Sequence, residues 1–268
     1  MSNTSVTTLV RSEFKKISST RLWWGLLVGV VVFTAFQAGF TSAFAGVEPG
    51  AGQPASPGLD TDQAIRSAYG FAAFSGSYIF ALILGITGMT GEYRYQTITP
   101  TFLVSPKRSR VVSAKMIAHL LMGVVYGVVA LLAALVVSGI VIKIRGYDLG
   151  YDTDGLWTSM ALAVLAVAIW TLLGIGIGTL IRNQIVAILV AIFVTFLIEP
   201  LLSFGLGAVD VLEGIVKFLP TNASSALMEP ANTFVDYLDW WAGGLVLVGY
   251  AIVLAGLGIL LSIRRDVS

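Results

Sequence analysis

Long apolar runs separated by short polar segments dominate the pattern along this chain. A helix needs about 20 mainly apolar residues to cross the hydrocarbon of a bilayer. Six stretches meet that length, near 22–44, 68–90, 112–142, 157–181, 185–205 and 241–263. The pattern therefore predicts an all-α membrane protein with six transmembrane helices in one domain, residues 1–268.

The segment before the first run, residues 1–21, has helical periodicity. Five apolar residues repeat on one face: Val6, Leu9, Val10, Phe14 and Ile17. Polar side chains, including Arg11 and Lys15, take the other face. This predicts a basic amphipathic helix in the membrane surface, with a solvated, orientation-setting tail as the alternative. A cleaved signal is disfavoured because the run Leu22 to Phe44 exceeds the roughly 7 to 15 apolar residues of such a signal.

The segment 206–240, between the fifth and sixth runs, is too long for a tight turn and too apolar for a solvated linker. Its apolar residues run up to Pro220: Val209, Leu212, Ile215, Val216, Phe218 and Leu219. Two interpretations stand side by side. The segment either re-enters the outer leaflet, shielded by protein, or forms a short helix lying flat on the outer surface.

Charge is scarce and unevenly placed. Only 12% of the residues are charged and 56% are hydrophobic, against roughly 25% charged residues in a soluble domain. With a cytoplasmic N-terminus, 12 of the 16 lysines and arginines fall in inside segments and 4 outside. The positive-inside rule then places both chain ends in the cytoplasm. The net charge of +1 by itself says nothing about nucleic-acid or acidic partners, and we expect no nucleic-acid partner.

The residues for common catalytic chemistry are missing. The chain has no cysteine and one histidine, His119, which excludes disulfides and thiolate metal sites and disfavours a serine–histidine triad. No phosphate-binding G-x-x-x-x-G-K-[ST] motif is present. We therefore expect no enzyme activity, bound metal or cofactor in this chain.

Two features inside the apolar runs stand out. Glu199 lies roughly 25 Å along a helix counted from Arg182, which predicts a carboxylate at the outer interface or pore mouth. The small-residue pairs Gly123/Gly127 and Gly174/Gly178 have the spacing that lets helices approach closely.

A basic loop, residues 91–111, interrupts the apolar pattern with "GEYRYQTITPTFLVSPKRSRV". Thr97 or Thr99 has the chemistry to cap a short helix, which Pro106 ends. Such a helix exposes apolar side chains, among them Ile98, Phe102, Leu103 and Val104, and is suited to docking on a soluble partner. The alternative is that the basic residues only set topology against anionic lipid.

The chain resembles the type 2 permeases of bacterial, and particularly actinobacterial, ATP-binding-cassette (ABC) transporters. The resemblance covers nearly the whole length. It rests on "RSEFKKISSTRLWW", "GEYRYQTITPTFLVSPKRSRVVSAK", "GIGIGTLIRNQIVAI" and "FLPTNASSAL". Gln96 stands where such loops more often have glycine.

The resemblance implies a dimer of permeases, as homodimer or heterodimer, in the bacterial plasma membrane, with ATP and Mg on a separate ABC ATPase subunit. It implies export, and the aromatic, weakly charged residues of the pathway-lining set given below suit an amphipathic drug, peptide or lipid as cargo. A secondary carrier, a channel and a non-transporting scaffold or signalling subunit are the alternatives.

Three sets of site residues follow from the resemblance. The ATPase-coupling set is Glu92, Arg94, Thr97, Ile98, Thr99, Phe102, Leu103, Lys107 and Arg108. The connecting-helix set is Arg11, Phe14 and Lys15. The pathway-lining set is Phe33, Phe36, Gln37, Phe74, Tyr78, Phe196 and Glu199.

Overall fold

The computed structural model describes residues 6–47, 56–96, 108–207, 214–228 and 237–265. Within these ranges the regular structure is helical, without strands. Six helices there are long and apolar enough to cross a membrane, and we number them as spans 1 to 6: Leu22–Phe44, Asp62–Arg94, Ser113–Ile144, Leu156–Leu180, Gln184–Leu206 and Trp240–Leu257. The predicted fold class is confirmed, with boundaries for most spans within a few residues.

The bounds of four further helices complete the description. A separate helix, Val6–Ser19, precedes span 1 and is called the N-terminal helix. The helix of span 3 begins earlier than the span itself and runs Arg108–Ile144, and that of span 6 runs Trp240–Arg265. A short helix between spans 5 and 6, Pro220–Ala226, is called the external helix.

Spans 2 and 4 form the centre of the bundle. About 72% and 67% of their most apolar stretches are buried, against 22 to 33% in the other four spans. Their backbones meet at Gly85 and Gly174. A Cβ at Gly85 would overlap the carbonyl oxygen of Thr171, and one at Gly174 would overlap that of Leu82. The small residues therefore allow an approach that any side chain would prevent.

Span 2 is not one continuous α-helix. A π-helical segment, Ser67–Phe71, interrupts it, and the helix stops at Gly76 before starting again at Tyr78. The Ser77 hydroxyl donates to the carbonyl oxygen of Ala73 at 2.6 Å, which satisfies a group freed by the break. Gly76 lies against the backbone of Thr34 in span 1, where a Cβ would overlap it. This close crossing explains the interruption.

The external helix lies among the spans. Its residues Ala223 to Ala226 are buried, and the Trp170 indole of span 4 donates to the Ser224 hydroxyl oxygen at 2.8 Å. Trp170 follows the first residue of span 4, Leu156, by 14 residues, or about 21 Å at 1.5 Å per residue. The external helix is thus packed against span 4, and re-entry into the outer leaflet stays a prediction; residues 208–213 and 229–236 lie outside the described ranges.

The N-terminal helix packs its predicted apolar face on the bundle. Ile17 is buried, and Val10 and Phe14 pack against the core. Arg11 and Lys15 are exposed on the opposite face. The acid Glu13 shares the inward face with the apolar residues and is 3% exposed. This acid determines the site described next.

Candidate functional site

Four charged side chains form a ring where the N-terminal helix meets spans 2 and 3. Lys115 Nζ lies 2.6 Å from Glu13 Oε2 and 2.9 Å from Glu92 Oε1. Lys16 Nζ lies 2.6 Å from Glu13 Oε1 and 2.8 Å from the same oxygen of Glu92. Each ammonium group therefore bridges both carboxylates, and we call this arrangement the charge ring.

Three members of the charge ring are almost completely buried. Glu13, Glu92 and Lys115 are 3%, 5% and 2% exposed, whereas the Lys16 side chain is 42% exposed. Burying a charge is costly unless its partners replace the lost water. Lys115 meets this condition, because beside its two carboxylate partners it donates to the Gly88 carbonyl oxygen at 3.0 Å.

Helical spacing explains how the ring forms. Glu13 lies three and four residues from Val10 and Ile17, on the stripe that faces the bundle. Lys16 follows one turn later at the edge of that stripe. The sequence interpretation assigned no role to Glu13 and treated Lys115 as an orientation signal. The available signal was an acid on the apolar stripe of an otherwise basic segment.

The ring shifts the ionisation of its two members outside the spans. Burial raises the pKa of Glu13, but the attraction and hydrogen bonds of Lys115 and Lys16 outweigh burial and hold that pKa below its ordinary value of 4.5. Burial lowers the pKa of Lys16, and the hydrogen bonds that Lys16 donates to Glu13 and Glu92 outweigh burial, so that this pKa is raised above its ordinary value of 10.5. Both groups are charged at neutral pH.

His119 lies one helical turn after Lys115 and is 1% exposed. Its Nδ1 is 2.9 Å from the Lys115 carbonyl oxygen. A carbonyl only accepts, so Nδ1 carries the proton and Nε2 is left as an acceptor. No described residue donates to Nε2. His119 is therefore packed inside the bundle.

A cavity of about 390 Å³ opens beside the charge ring. The elbow between the N-terminal helix and span 1, Ile17 to Trp23, supplies one wall. Span 2 supplies another from Leu84 to Glu92, and Lys115, His119 and Gln184 complete it. We call it the elbow cavity.

A second polar group lies toward the opposite end of the bundle. Glu199 of span 5 is 4% exposed, and its Oε2 accepts from the backbone N–H and the hydroxyl of Thr221 at 2.9 and 2.5 Å. The carboxylate thus holds the start of the external helix against span 5. It also lies within electrostatic range of Tyr78 and Tyr250.

The comparison with known families is decisive for the identity. A family model described as ABC-2 family transporter protein matches residues 9–198, well over half of the chain. The chain belongs to the ABC-2 transporter family. Proteins of this family are membrane permease subunits, so the six spans are those of a multi-pass transporter protein. A search of curated proteins found no match.

The ABC-2 loop after span 2 carries the predicted ATPase-coupling residues. Glu92 is paired within the charge ring, and Arg94 is exposed and donates from Nη1 to Gln184 Oε1 at 3.4 Å. Arg108 begins the helix of span 3. Gln96, where glycine was more expected, has φ of 55°, in the left-handed region that favours glycine. The remaining predicted residues, Thr97, Ile98, Thr99, Phe102, Leu103 and Lys107, lie outside the described ranges.

The predicted pathway-lining residues separate into two groups. Phe33 and Phe36 of span 1 are exposed on the bundle surface and continue along a row of ring contacts to Phe40 and Phe44; Gln37 is half-buried beside them. The second group lies inside, where ring contacts join Phe74, Tyr78 and Phe196 around Trp170. Phe74 and Tyr78 are buried within one protomer, whereas Phe196 is 50% exposed.

The lowered pKa of Glu13 predicts a pH-dependent stability difference between the wild type and Glu13→Gln. A carboxyl group with a lowered folded-state pKa stabilises the fold above its unfolded pKa, and that contribution is lost as the pH falls through the folded value. We expect the wild type to be the more stable at neutral pH and the difference to shrink as the pH falls below the ordinary carboxyl pKa of 4.5. Thermal unfolding midpoints in nanodiscs measure this. A difference that stays constant over this range contradicts the prediction.

Proposed function

We propose that this chain is the permease subunit of an ATP-driven ABC exporter and that it couples to a separate ATPase subunit through the loop 91–111. The observation that carries the proposal is the charge ring. It connects the N-terminal helix to both flanks of the loop, through Glu92 before it and Lys115 after it.

The position of the ring suits the transmission of movement. Glu92 lies two residues before the end of span 2, and Lys115 lies near the start of span 3. A push on the loop between them moves both helix ends, and the buried ion pairs move the N-terminal helix with them. Charges that cannot separate without a large desolvation cost make such a joint stiff.

The remaining elements of the proposal follow from the family membership. Two permease copies, identical or related, form the pathway between them, and the ATPase subunits bind ATP and Mg. We place the N-terminal helix, the loop and both chain ends on the cytoplasmic side of the bacterial plasma membrane, since the basic residues gather there. The cargo is an amphipathic drug, peptide or lipid.

The opposite end of the bundle supports an exit formed by the external segment. Glu199 and Trp170 hold the external helix at Thr221 and Ser224. The aromatic group of Tyr78 and Phe196 lies beside these contacts. Release of the cargo then requires movement of the external helix relative to spans 4 and 5.

The coupling role of the loop is tested with Phe102→Asp plus Leu103→Asp. Two carboxylates on an apolar docking helix leave buried, unpaired charge in the interface, which costs several kcal/mol. We therefore expect the variant to lose co-purification with the ATPase encoded beside this chain and to lose the vanadate-sensitive ATP hydrolysis of the complex. Both are measured on full-length protein.

The matched control places the same two charges at the opposite end of the bundle, as Val47→Asp plus Tyr147→Asp, where both side chains are exposed. This control is expected to bind the ATPase as the wild type does. Equal binding by all three proteins, or by none, contradicts the coupling role. If the wild type binds the ATPase but cargo does not change the rate of ATP hydrolysis, the chain is a scaffold subunit instead.

A further inference from the structure

We propose that the elbow cavity binds the ammonium group of an amphipathic amine, so that each protomer takes up cargo from the lipid leaflet next to the N-terminal helix. The inference deepens the proposed function and rests on it for its biological meaning. The binding itself is a property of this chain alone and is tested without the ATPase.

The size and walls of the elbow cavity fit an amphipathic molecule. Its volume of about 390 Å³ lies within the roughly 300–1,000 Å³ of small-molecule sites. Ile17, Leu22, Trp23 and Leu84 supply apolar walls, and the charge ring and His119 supply a polar end. The cavity lies where the spans begin, so a molecule can place its chain among lipids and its head in the cavity.

The hydrogen-bonding groups at the polar end of the elbow cavity favour a ligand that donates hydrogen bonds. Lys115 Nζ donates to Glu13 Oε2 and to the Gly88 carbonyl oxygen, and it forms an ion pair with Glu92 Oε1 at 2.9 Å. In contrast, no described residue donates to the buried His119 Nε2. An unsatisfied buried acceptor is costly. The polar end therefore has an acceptor left over, and an ammonium group supplies an N–H donor together with a positive charge.

Lys16 is the exchangeable cation of the charge ring. The ring is electroneutral, so an incoming ammonium group has to share or take the place of a lysine. The Lys16 side chain is 42% exposed and that of Lys115 is 3% exposed, so Lys16 is the lysine whose ammonium group can leave the ring and be hydrated. The ligand ammonium group occupies the side of Glu92 that faces the cavity.

The test uses photo-crosslinking of the full-length chain in phosphatidylcholine nanodiscs. The probe is a dodecylamine that carries a diazirine in its alkyl chain, and the matched probe has a hydroxyl in place of the ammonium group. We expect the amine to label peptides containing Ile17–Trp23 and Leu84–Glu92 about tenfold more strongly than the hydroxyl probe, since bonds to charged groups are the stronger ones. Excess unlabelled dodecylamine removes the labelling.

Two variants separate a ligand site from a purely structural ring. Gly91 borders the cavity and a Cβ there meets nothing within 4 Å, so Gly91→Met adds a side chain beside the cavity and improves helix propensity. It is expected to reduce amine labelling to the level of the hydroxyl probe. Lys16→Met removes the competing cation and is expected to raise labelling about fivefold.

The control is Gly249→Met in span 6, where a Cβ also meets nothing within 4 Å and which does not border the cavity. Its labelling is expected to match the wild type. Equal labelling by both probes, labelling that survives Gly91→Met, or a decrease with Lys16→Met overturns the proposal. Thermal unfolding midpoints show that each variant is folded.

The lipid composition of the nanodiscs distinguishes a membrane lipid from a single-chain amine as the source of the ammonium group. If phosphatidylethanolamine in the nanodiscs suppresses labelling, the headgroup of a membrane lipid occupies the site; if it does not, the site takes a single-chain amine, and both results support an ammonium site. Labelling that persists in Phe102→Asp plus Leu103→Asp, despite lost ATPase binding, separates this inference from the proposed function. The absence of labelling in a complex that hydrolyses ATP rejects the inference alone.

Discussion

Lys115→Met is expected to lower the free energy of unfolding by about 3–5 kcal/mol, the cost of removing one partner from a buried ion pair. The substitution leaves Glu13 and Glu92 buried with only Lys16 between them. The Gly88 carbonyl oxygen also loses its donor. Denaturant unfolding in micelles measures the loss, and reduced co-purification with the ATPase accompanies it if the ring transmits movement of the loop.

The matched control for this prediction is Lys143→Met, near the other end of the same helix. Lys143 is 60% exposed in its side chain and lies 3.8 Å from Asp148, and exposed pairs contribute about 0–1 kcal/mol. A loss for Lys115→Met no larger than that for Lys143→Met would show that the ring does not hold these elements together.

A fourfold variant distinguishes pairing from packing in the charge ring. Glu13→Gln, Lys16→Met, Glu92→Gln and Lys115→Met together remove every charge of the ring. Replacing a buried ion network by neutral groups of similar volume is often neutral or stabilising. We expect most of the stability lost in Lys115→Met to return in the fourfold variant. Stability that stays low identifies a packing defect at position 115 instead.

Gly174→Ala is expected to destabilise the bundle by roughly 1–3 kcal/mol or more, the usual cost of overpacking a core. The added Cβ would overlap the Leu82 carbonyl oxygen and lie 2.9 Å from the backbone nitrogen of Ile86. Both are backbone atoms of span 2 and cannot rotate away. The crossing of spans 2 and 4 therefore has to widen, and the thermal unfolding midpoint falls.

Gly249→Ala is the matched control, and its expected effect has the opposite sign. A Cβ at Gly249 meets nothing within 4 Å, so the substitution gains helix propensity of up to about 1 kcal/mol. Equal effects at positions 174 and 249 would mean that the close crossing of spans 2 and 4 is not required for the fold.

The transmembrane organisation was predictable because hydrophobic length is a local property. A run such as Leu22 to Phe44 has one low-energy state in a bilayer, a helix that satisfies its own backbone. The span bounds agree with the sequence prediction for this reason. The interruption of span 2 was not predictable, because it depends on the backbone of Thr34 in another span.

The candidate site was predictable only in part. The loop after span 2 was identified from its basic residues, and Glu92 and Arg94 lie at the end of span 2 as expected. The charged partners of Glu92 in the charge ring were not predicted. Glu13 and Lys115 are distant from Glu92 in the chain, and no sequence feature connects the three side chains. Nothing in the spacing says that their side chains lie within 3 Å.

The sequence by itself determined the fold class, the six spans, the inward face of the N-terminal helix and the resemblance to ABC-2 permeases. The first three depend on hydrophobicity and periodicity within one segment, and the resemblance depends on the quoted motifs. The tertiary structure alone decided the charge ring, the elbow cavity and the burial of Glu199 against Thr221. These depend on which helices cross and at what height, and long-range contacts between spans set that geometry.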